Sequence, residues 1–100
     1  ERDRDGNCTY ANKAYLDLIG RTMEEVRGLG WLNAIHPDDR DRVLNDWTSS
    51  IKQARNFEGR FRVVNKDDDM IYEVTVSAES VSGNGYVGKY ETVTPLGKLQ

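Results

Sequence analysis

The first half of the chain is a series of short apolar stripes, each bounded by residues that start or end helices. Asn12 is a good N-terminal cap for a helix over residues 13–19, and Gly20 provides the left-handed residue that ends it. Residues 22–28 begin with a Thr-x-x-Glu capping box, and residues 31–35 have the length of one more helical turn. The pattern therefore predicts a string of short helices.

A longer helix is predicted from Pro37 to about Arg55. Proline suits the first turn of a helix, and Asp38 and Asp39 place negative charge where the helix N-terminus favours it. The spacing of the apolar residues predicts one stripe that faces a core. That stripe consists of Val43, Leu44, Trp47 and Ile51.

After residue 56 the apolar residues recur at every second position, which is typical of strands with one buried face. This alternation predicts antiparallel strands at 57–63, 71–81 and 86–93. At the other end of the chain, Asp5-Gly6 is a turn signal and residues 7–11 suit a short strand, so a hairpin is expected there. Strands on both sides of a helical middle predict an α+β fold, with an antiparallel sheet and helices packed on one face.

Length and charge narrow the classes of function. A chain of 100 residues has room for one compact domain. Its 14 basic and 17 acidic residues give a net charge of −3, which repels phosphate backbones and argues against nucleic acid as a partner. No apolar run approaches the roughly 20 residues of a membrane span. The single cysteine forms no internal disulfide, and we expect a cytoplasmic domain without membrane contact.

Six short motifs follow one another along nearly the whole chain. They are Asp5-Gly6-x-x-x-Tyr10-Ala11-Asn12, Leu18-x-Gly20, Glu24-Glu25-Val26-x-Gly28, Trp31, Ile35-His36-Pro37-Asp38-Asp39-Arg40 and Gly85-Tyr86-Val87-Gly88. In this order and spacing they resemble the PAS sensor domains, especially those with a His-Pro-Asp-Asp segment. The resemblance implies a five-stranded antiparallel sheet with short helices on one face, enclosing a small cavity.

The resemblance also implies a domain over residues 1–94, with a truncated first strand, and a linker over residues 95–100. Two motifs depart from the family pattern. Asp68-Asp69 stands where an Asp-Gly turn is usual, and Thr92-Val93-Thr94 replaces a closing Asp-Ile-Thr.

The function implied by the resemblance is that of a sensory or regulatory module in a longer signalling protein. Such a module binds a small ligand or a partner and relays the change to an attached effector, such as a kinase or a cyclase. The alternative is a dimerisation or scaffold module with a filled core and no ligand. We also expect a weak homodimer, formed through outward-facing residues of the sheet. The outward candidates are Ile71, Thr75, Ser77, Tyr90 and Thr92.

Candidate cavity residues are the large apolar side chains that the predicted elements turn toward one another. They are Tyr10, Leu18, Trp31, Ile35, Val43, Trp47, Phe61 and Tyr72. Residues of this type at this spacing also pack ordinary cores, so the sequence leaves open which of them line a pocket.

Specific cofactors can be compared with the resemblance. Family members that form a covalent flavin adduct use a cysteine in a stretch that corresponds to residues 29–35, and this stretch has none. The haem-binding members use a histidine in the long helix, and no histidine lies between Arg40 and Arg55. An unknown small organic ligand, or none, is therefore expected.

Catalytic groups are scarce. Cys8 and His36 are the only thiol and imidazole; Cys8 is predicted as a small buried hydrophobe, and His36 as a cap before the helix. The run at 83–88 matches a dinucleotide-binding pattern, but a strand follows it where that chemistry needs a helix. The aspartates at 67–69 are interpreted as a solvated turn. We therefore expect neither an enzyme nor a metal site.

Overall fold

The computed structural model describes residues 11–53, 55–81 and 85–98 of an α+β fold. The helices are Lys13–Ile19 (α1), Met23–Val26 (α2), a 3₁₀ helix at Gly30–Ala34, and Pro37–Lys52 (α3); the strands are Phe57–Val64 (β1), Met70–Val81 (β2) and Gly85–Lys98 (β3). The strands form an antiparallel sheet in the order β1-β2-β3. The predicted hairpin and strand before residue 11 lie outside the described residues. The described part shows three strands, and the prediction of five stays a prediction.

The helix caps lie where the sequence predicted them. The Asn12 side chain accepts a hydrogen bond from the Tyr15 backbone N–H, and Gly20 ends α1 with a φ of 65°. The capping box of α2 is complete in both directions. The His36 side chain caps α3 through its Nδ1 atom, which accepts from the Asp38 backbone N–H at 3.1 Å. The prediction that His36 is a cap is confirmed.

The apolar stripe of α3 is narrower than predicted. Val43 and Trp47 are buried, whereas Leu44 is 37% exposed, so its assignment to the core face was wrong. Successive residues of a helix point about 100° apart, and the buried face here follows Val43 rather than its neighbour. The helix also ends at Lys52, before the predicted Arg55.

The last strand is longer than predicted. It continues from Val93 through Pro95 to Lys98, and residues 95–98 pair with Met70–Tyr72 of β2. Proline is tolerated in a strand at the edge of a sheet, and β3 lies at an edge among the described strands. Residues 95–98 are therefore strand rather than free linker in this structure. Whether the domain itself ends at residue 94 stays a prediction.

A β-bulge changes which side chains of β3 face the helices. Thr75 pairs with Thr92 but Val76 pairs with Tyr90, so Glu91 is an extra residue on β3. The bulge turns Tyr90 inward, where it packs against the core. The prediction that Tyr90 faces outward was wrong because strict alternation does not hold across a bulge. The Thr75 and Thr92 hydroxyl oxygens lie 2.6 Å apart on the opposite face.

The core lies between the helices and this inner face of the sheet. Its largest fully buried side chains come from α1, α2, the segment before α3, α3 itself, β1 and β2. They are Ile19, Val26, Ile35, Val43, Val63 and Val74. Within residues 11–53, 55–81 and 85–98, no helix is both long and apolar enough to cross a membrane.

Candidate functional site

A cavity of about 730 Å³ lies between α1, the 3₁₀ helix, α3 and the inner face of the sheet. This volume falls within the range of roughly 300 to 1,000 Å³ that is typical of small-molecule sites. Aromatic rings form much of its described lining. They are Tyr15, Trp31, Trp47, Phe57, Phe61 and Tyr90.

The rings meet in two arrangements. Tyr15 of α1 and Tyr90 of β3 are stacked, with centroids 4.2 Å apart and planes inclined by 10°. Trp47 instead meets Trp31 and Phe57 edge to face, at centroid distances of 6.2 and 5.1 Å. Both are favourable geometries for aromatic pairs. The stacked pair joins α1 to the last strand, while the edge-to-face group forms a wall from the 3₁₀ helix to β1.

The described lining carries little charge. Besides the tyrosine hydroxyls and indole N–H groups, its polar residues are Asn12 and Lys89, and it contains no carboxylate. The oxygen of Asn12 already accepts from the Tyr15 backbone N–H at 2.9 Å. Among the described residues, no three His, Cys, Asp or Glu side chains come together in a way that could hold a metal ion. The described surface of the cavity therefore suits an apolar organic molecule better than a polyanion or a metal.

The cavity brings together four of the residues predicted from the sequence. Leu18, Trp31, Trp47 and Phe61 all line it. Tyr10 lies outside the described residues.

Three other candidates do not line the cavity. Ile35 and Val43 are almost fully buried in the core, and Ile35 forms an isolated bridge with Val63. Tyr72 is half-buried and packs against the core. Large apolar side chains at these positions pack the core instead. The sequence alone could not distinguish this role from lining a pocket.

Three aromatic lining residues were absent from the predicted set. Tyr15 lies on the predicted apolar face of α1, and Phe57 lies on the inward side of the alternating strand, so both could have been found by pattern. Tyr90 could not, because the bulge at Glu91 reverses the expected direction of its side chain.

A second feature, away from the cavity, involves the start of α3. Asp39 is 8% exposed and accepts three hydrogen bonds from Arg62 of β1. Two come from the guanidinium, from Nη2 at 2.8 Å and Nε at 3.0 Å, and one from the backbone N–H at 2.9 Å. The guanidinium hydrogen bonds hold the pKa of Asp39 below its ordinary value, against the effect of burial. This pair fixes the N-terminus of α3 on the sheet.

Two further arginines bind backbone carbonyls beside this pair. Arg40 Nε donates to the carbonyls of Leu32 and Ile35, each at 3.0 Å, and Arg21 Nη1 donates to Val64 at 3.0 Å. Both guanidinium groups also donate to the carbonyl of Asn33 at 3.1 Å. We call Asp39, Arg62, Arg40 and Arg21 the charged brace, because together they tie the helical segments to β1.

Asn65 extends this bracing to the end of α1. Its Nδ2 donates to the Leu18 carbonyl at 2.9 Å, and its Oδ1 accepts from the Asp67 backbone N–H at 2.8 Å. The Lys66 backbone N–H donates to the Ile19 carbonyl at 2.9 Å. The C-terminal end of α1 is therefore hydrogen-bonded to the turn between β1 and β2, while its middle carries the stacked Tyr15.

The architecture agrees with one known family. A family profile for the PAS fold matches residues 8–94. The chain belongs to the PAS fold family. A PAS domain is generally a sensory module and is typically non-catalytic. The profile does not distinguish members with a His-Pro-Asp-Asp segment, so that finer assignment stays a prediction.

A curated relative shares part of this PAS domain. "Uncharacterized protein y4lL" of Sinorhizobium fredii is 47% identical over 38 residues. Those residues are 38% of this chain and 5% of that protein, so the chain matches a small part of a much longer relative.

Proposed function

We propose that this PAS domain is a sensory module of a longer signalling protein and that it binds a small organic molecule in the aromatic cavity. The observation that supports this function is the cavity itself, about 730 Å³ in volume and lined by six aromatic rings. The cavity is partly open to solvent, and a concave, mostly apolar surface with few polar groups is the usual form of a small-molecule site.

The alternative, a scaffold with a filled core, agrees less well with this geometry. Dimerisation uses an outer surface and does not require a concave site lined by aromatic rings. A weak homodimer is still part of the proposal, through the outward residues Ile71, Thr75, Ser77 and Thr92, with Tyr90 removed from that set. Haem, covalent flavin and nucleic acid are not part of it, and the cytoplasmic location stays a prediction.

The last strand offers a route by which the bound state could reach an effector. Tyr90 and Val93 line the cavity, and the same strand continues to Lys98. A ligand that displaces either side chain also shifts the backbone of β3. The shift extends along the strand because its residues are hydrogen-bonded in register to β2. We propose that the effector responds to this displacement.

Native mass spectrometry of the mildly purified protein tests ligand binding. We expect an added mass of a few hundred daltons, consistent with one small organic molecule. Val76→Phe places a larger side chain on the cavity wall and should remove the added mass, whereas Thr75→Val, on the opposite face of the same strand, should retain it.

Two results would contradict the proposal. One is a protein that carries no added mass and binds no member of a small-organic library in ligand-observed NMR. The other is a ligand that Val76→Phe retains at full occupancy. A stoichiometric visible absorption band would contradict our expectation that the protein binds neither haem nor flavin.

A further inference from the structure

The stacked pair defines the shape that fits best in the cavity. Tyr15 and Tyr90 present parallel ring faces, 4.2 Å between centroids, one from a helix and one from a strand. A flat ring can take the place of either partner in such a stack and keep its contact area. A saturated ring of the same size is thicker and lacks the charge distribution that aromatic rings prefer to meet.

The opposite wall points to the same class of molecule. Trp47 meets Trp31 and Phe57 edge to face, with interplanar angles of 81° and 88°. A wall built this way offers both ring faces and ring edges to whatever lies in the cavity. An aromatic molecule can contact either of them favourably.

The charge of the lining restricts the molecule further. An anionic group that leaves water needs a cationic partner inside the cavity, whereas aromatic rings can themselves face a cation. The described lining is rich in rings and therefore selects against anions rather than against cations. Its one cationic residue, Lys89, is exposed and pairs with Ser77, whereas the inward-facing Tyr90 pairs with Val76. Lys89 is thus in register with the outer face of β2, where it cannot neutralise an anion held deep between the rings.

We infer that the cavity takes a flat aromatic molecule without negative charge, stacked on Tyr90 in the place that Tyr15 occupies. This inference rests on the proposed function, since it names the class of ligand for the same site. A molecule that takes the place of Tyr15 in the stack requires the two tyrosines to separate.

Three probes with one carbon skeleton test the inference by isothermal titration calorimetry on the unmodified chain. 2-Naphthol is flat and uncharged at neutral pH, decahydro-2-naphthol is its saturated counterpart, and 2-naphthoate is flat but anionic. We expect 2-naphthol to bind about 10-fold more tightly than either of the others.

Substitutions at the stack locate the binding mode. Tyr90→Leu should weaken 2-naphthol binding by about 3- to 10-fold with little effect on the saturated probe, and Tyr90→Phe should restore the affinity. Tyr72→Leu is the matched control, since Tyr72 lies on the same sheet face but outside the described lining. The Trp31 and Trp47 indole N–H signals in NMR spectra should shift with the 2-naphthol complex, because both rings line the cavity.

The outcomes separate this inference from the proposed function. Equal binding of the saturated probe, or tighter binding of 2-naphthoate, would overturn the class of aromatic molecules without negative charge and leave a ligand-binding function standing. Failure of all three probes would also overturn it, while native mass spectrometry decides the proposed function separately. Unchanged 2-naphthol affinity in Tyr90→Leu would show that the stack is not the binding surface.

Discussion

The two sides of this domain are held together by different forces. On one side, the charged brace and Asn65 make short, directional hydrogen bonds from β1 and the turn after it to the helices. On the other side, α1 and β3 meet through the stacked rings of Tyr15 and Tyr90 over a cavity. Charge-assisted hydrogen bonds hold one geometry, whereas stacked rings can exchange partners at little cost. The difference indicates a fixed frame on one side and a less rigidly held side next to the cavity, where we propose that a ligand binds.

α1 belongs to both sides. The carbonyls at its C-terminal end accept hydrogen bonds from the Asn65 side chain and from the Lys66 backbone N–H, while its middle carries Tyr15 to the cavity. The comparison therefore predicts that changes in the brace reduce stability, whereas changes around the cavity mainly alter binding.

The largest effect is expected from Asp39→Ala. The change removes the acceptor of three hydrogen bonds and leaves Arg62 without its carboxylate at the helix–sheet junction. Because the Arg62 side chain is 35% exposed and water can reach it, we expect a loss of about 2 to 3 kcal/mol in the free energy of unfolding, less than for a fully buried pair. Urea denaturation followed by far-ultraviolet circular dichroism measures it.

The neighbouring carboxylate is the control for that substitution. Asp38 also lies in the first turn of α3, but its side chain is 77% exposed and its carboxylate lies 3.9 Å from Nδ1 of the neighbouring His36. Asp38→Ala should cost less than about 1 kcal/mol, through the helix N-terminus alone. Equal losses for the two variants would show that the brace contributes no more than an ordinary helix-terminal charge.

The sequence predicted the local features of both sides better than their contacts. Asn12, Gly20 and His36 act on residues next to them in the chain, so their capping roles could be predicted from short patterns. The Asp39–Arg62 pair joins residues 23 positions apart. The alternating apolar pattern of β1 predicts only that Arg62 lies on the solvent-facing side of the strand. No pattern of single residues specifies such a pair before the fold is known.

The cavity was predictable only in part, for a different reason. The same apolar spacing produces a residue that lines a space, such as Phe61, and one that fills the core, such as Val43. Whether a given residue lines the cavity or fills the core depends on how the helices pack against the sheet. Tyr90 adds a third case, because a one-residue bulge changed its direction.

A pair of identical substitutions on β2 tests the contrast between filled and unfilled space. Val74 is fully buried and absent from the described lining, whereas Val76, two residues further on the same face, lines the cavity. Val74→Phe should destabilise the protein by about 1 to 3 kcal/mol through overpacking. Val76→Phe has space available and should cost less than about 1 kcal/mol. Similar costs in thermal or urea unfolding would show that the cavity wall is packed as tightly as the core.

Acidification should weaken the braced side specifically. Since Arg62 lowers the pKa of Asp39 in the folded state, the folded protein binds this proton less readily than the unfolded chain. The contribution of the pair is therefore complete above the ordinary aspartate pKa of about 4, and is lost as the pH falls below it through the folded-state value.

Asp39→Asn isolates that contribution from those of the other carboxylates. The difference in unfolding free energy between wild type and Asp39→Asn should be constant above about pH 5 and shrink as the pH falls toward 3. Urea denaturation at several pH values measures this difference. A gap that keeps its size across the whole range would mean that Asp39 has the same pKa in the folded and unfolded states.

The smallest expected effect concerns the turn that carries Asn65. Asp69 has a φ of 60°, a left-handed conformation that costs an aspartate more than a glycine, and it occupies the place where an Asp-Gly turn is usual in related sequences. Its backbone N–H donates to the Asn65 carbonyl at 3.0 Å, so the turn geometry is fixed by the frame. Asp69→Gly should therefore raise the unfolding free energy by about 0.5 to 1 kcal/mol, the strain relieved exceeding the added entropy of the unfolded chain. Asp67→Gly in the same exposed turn, where no positive φ is required, should destabilise instead. Destabilisation by Asp69→Gly in urea melts would show that its side chain contributes more to this turn than the backbone strain costs.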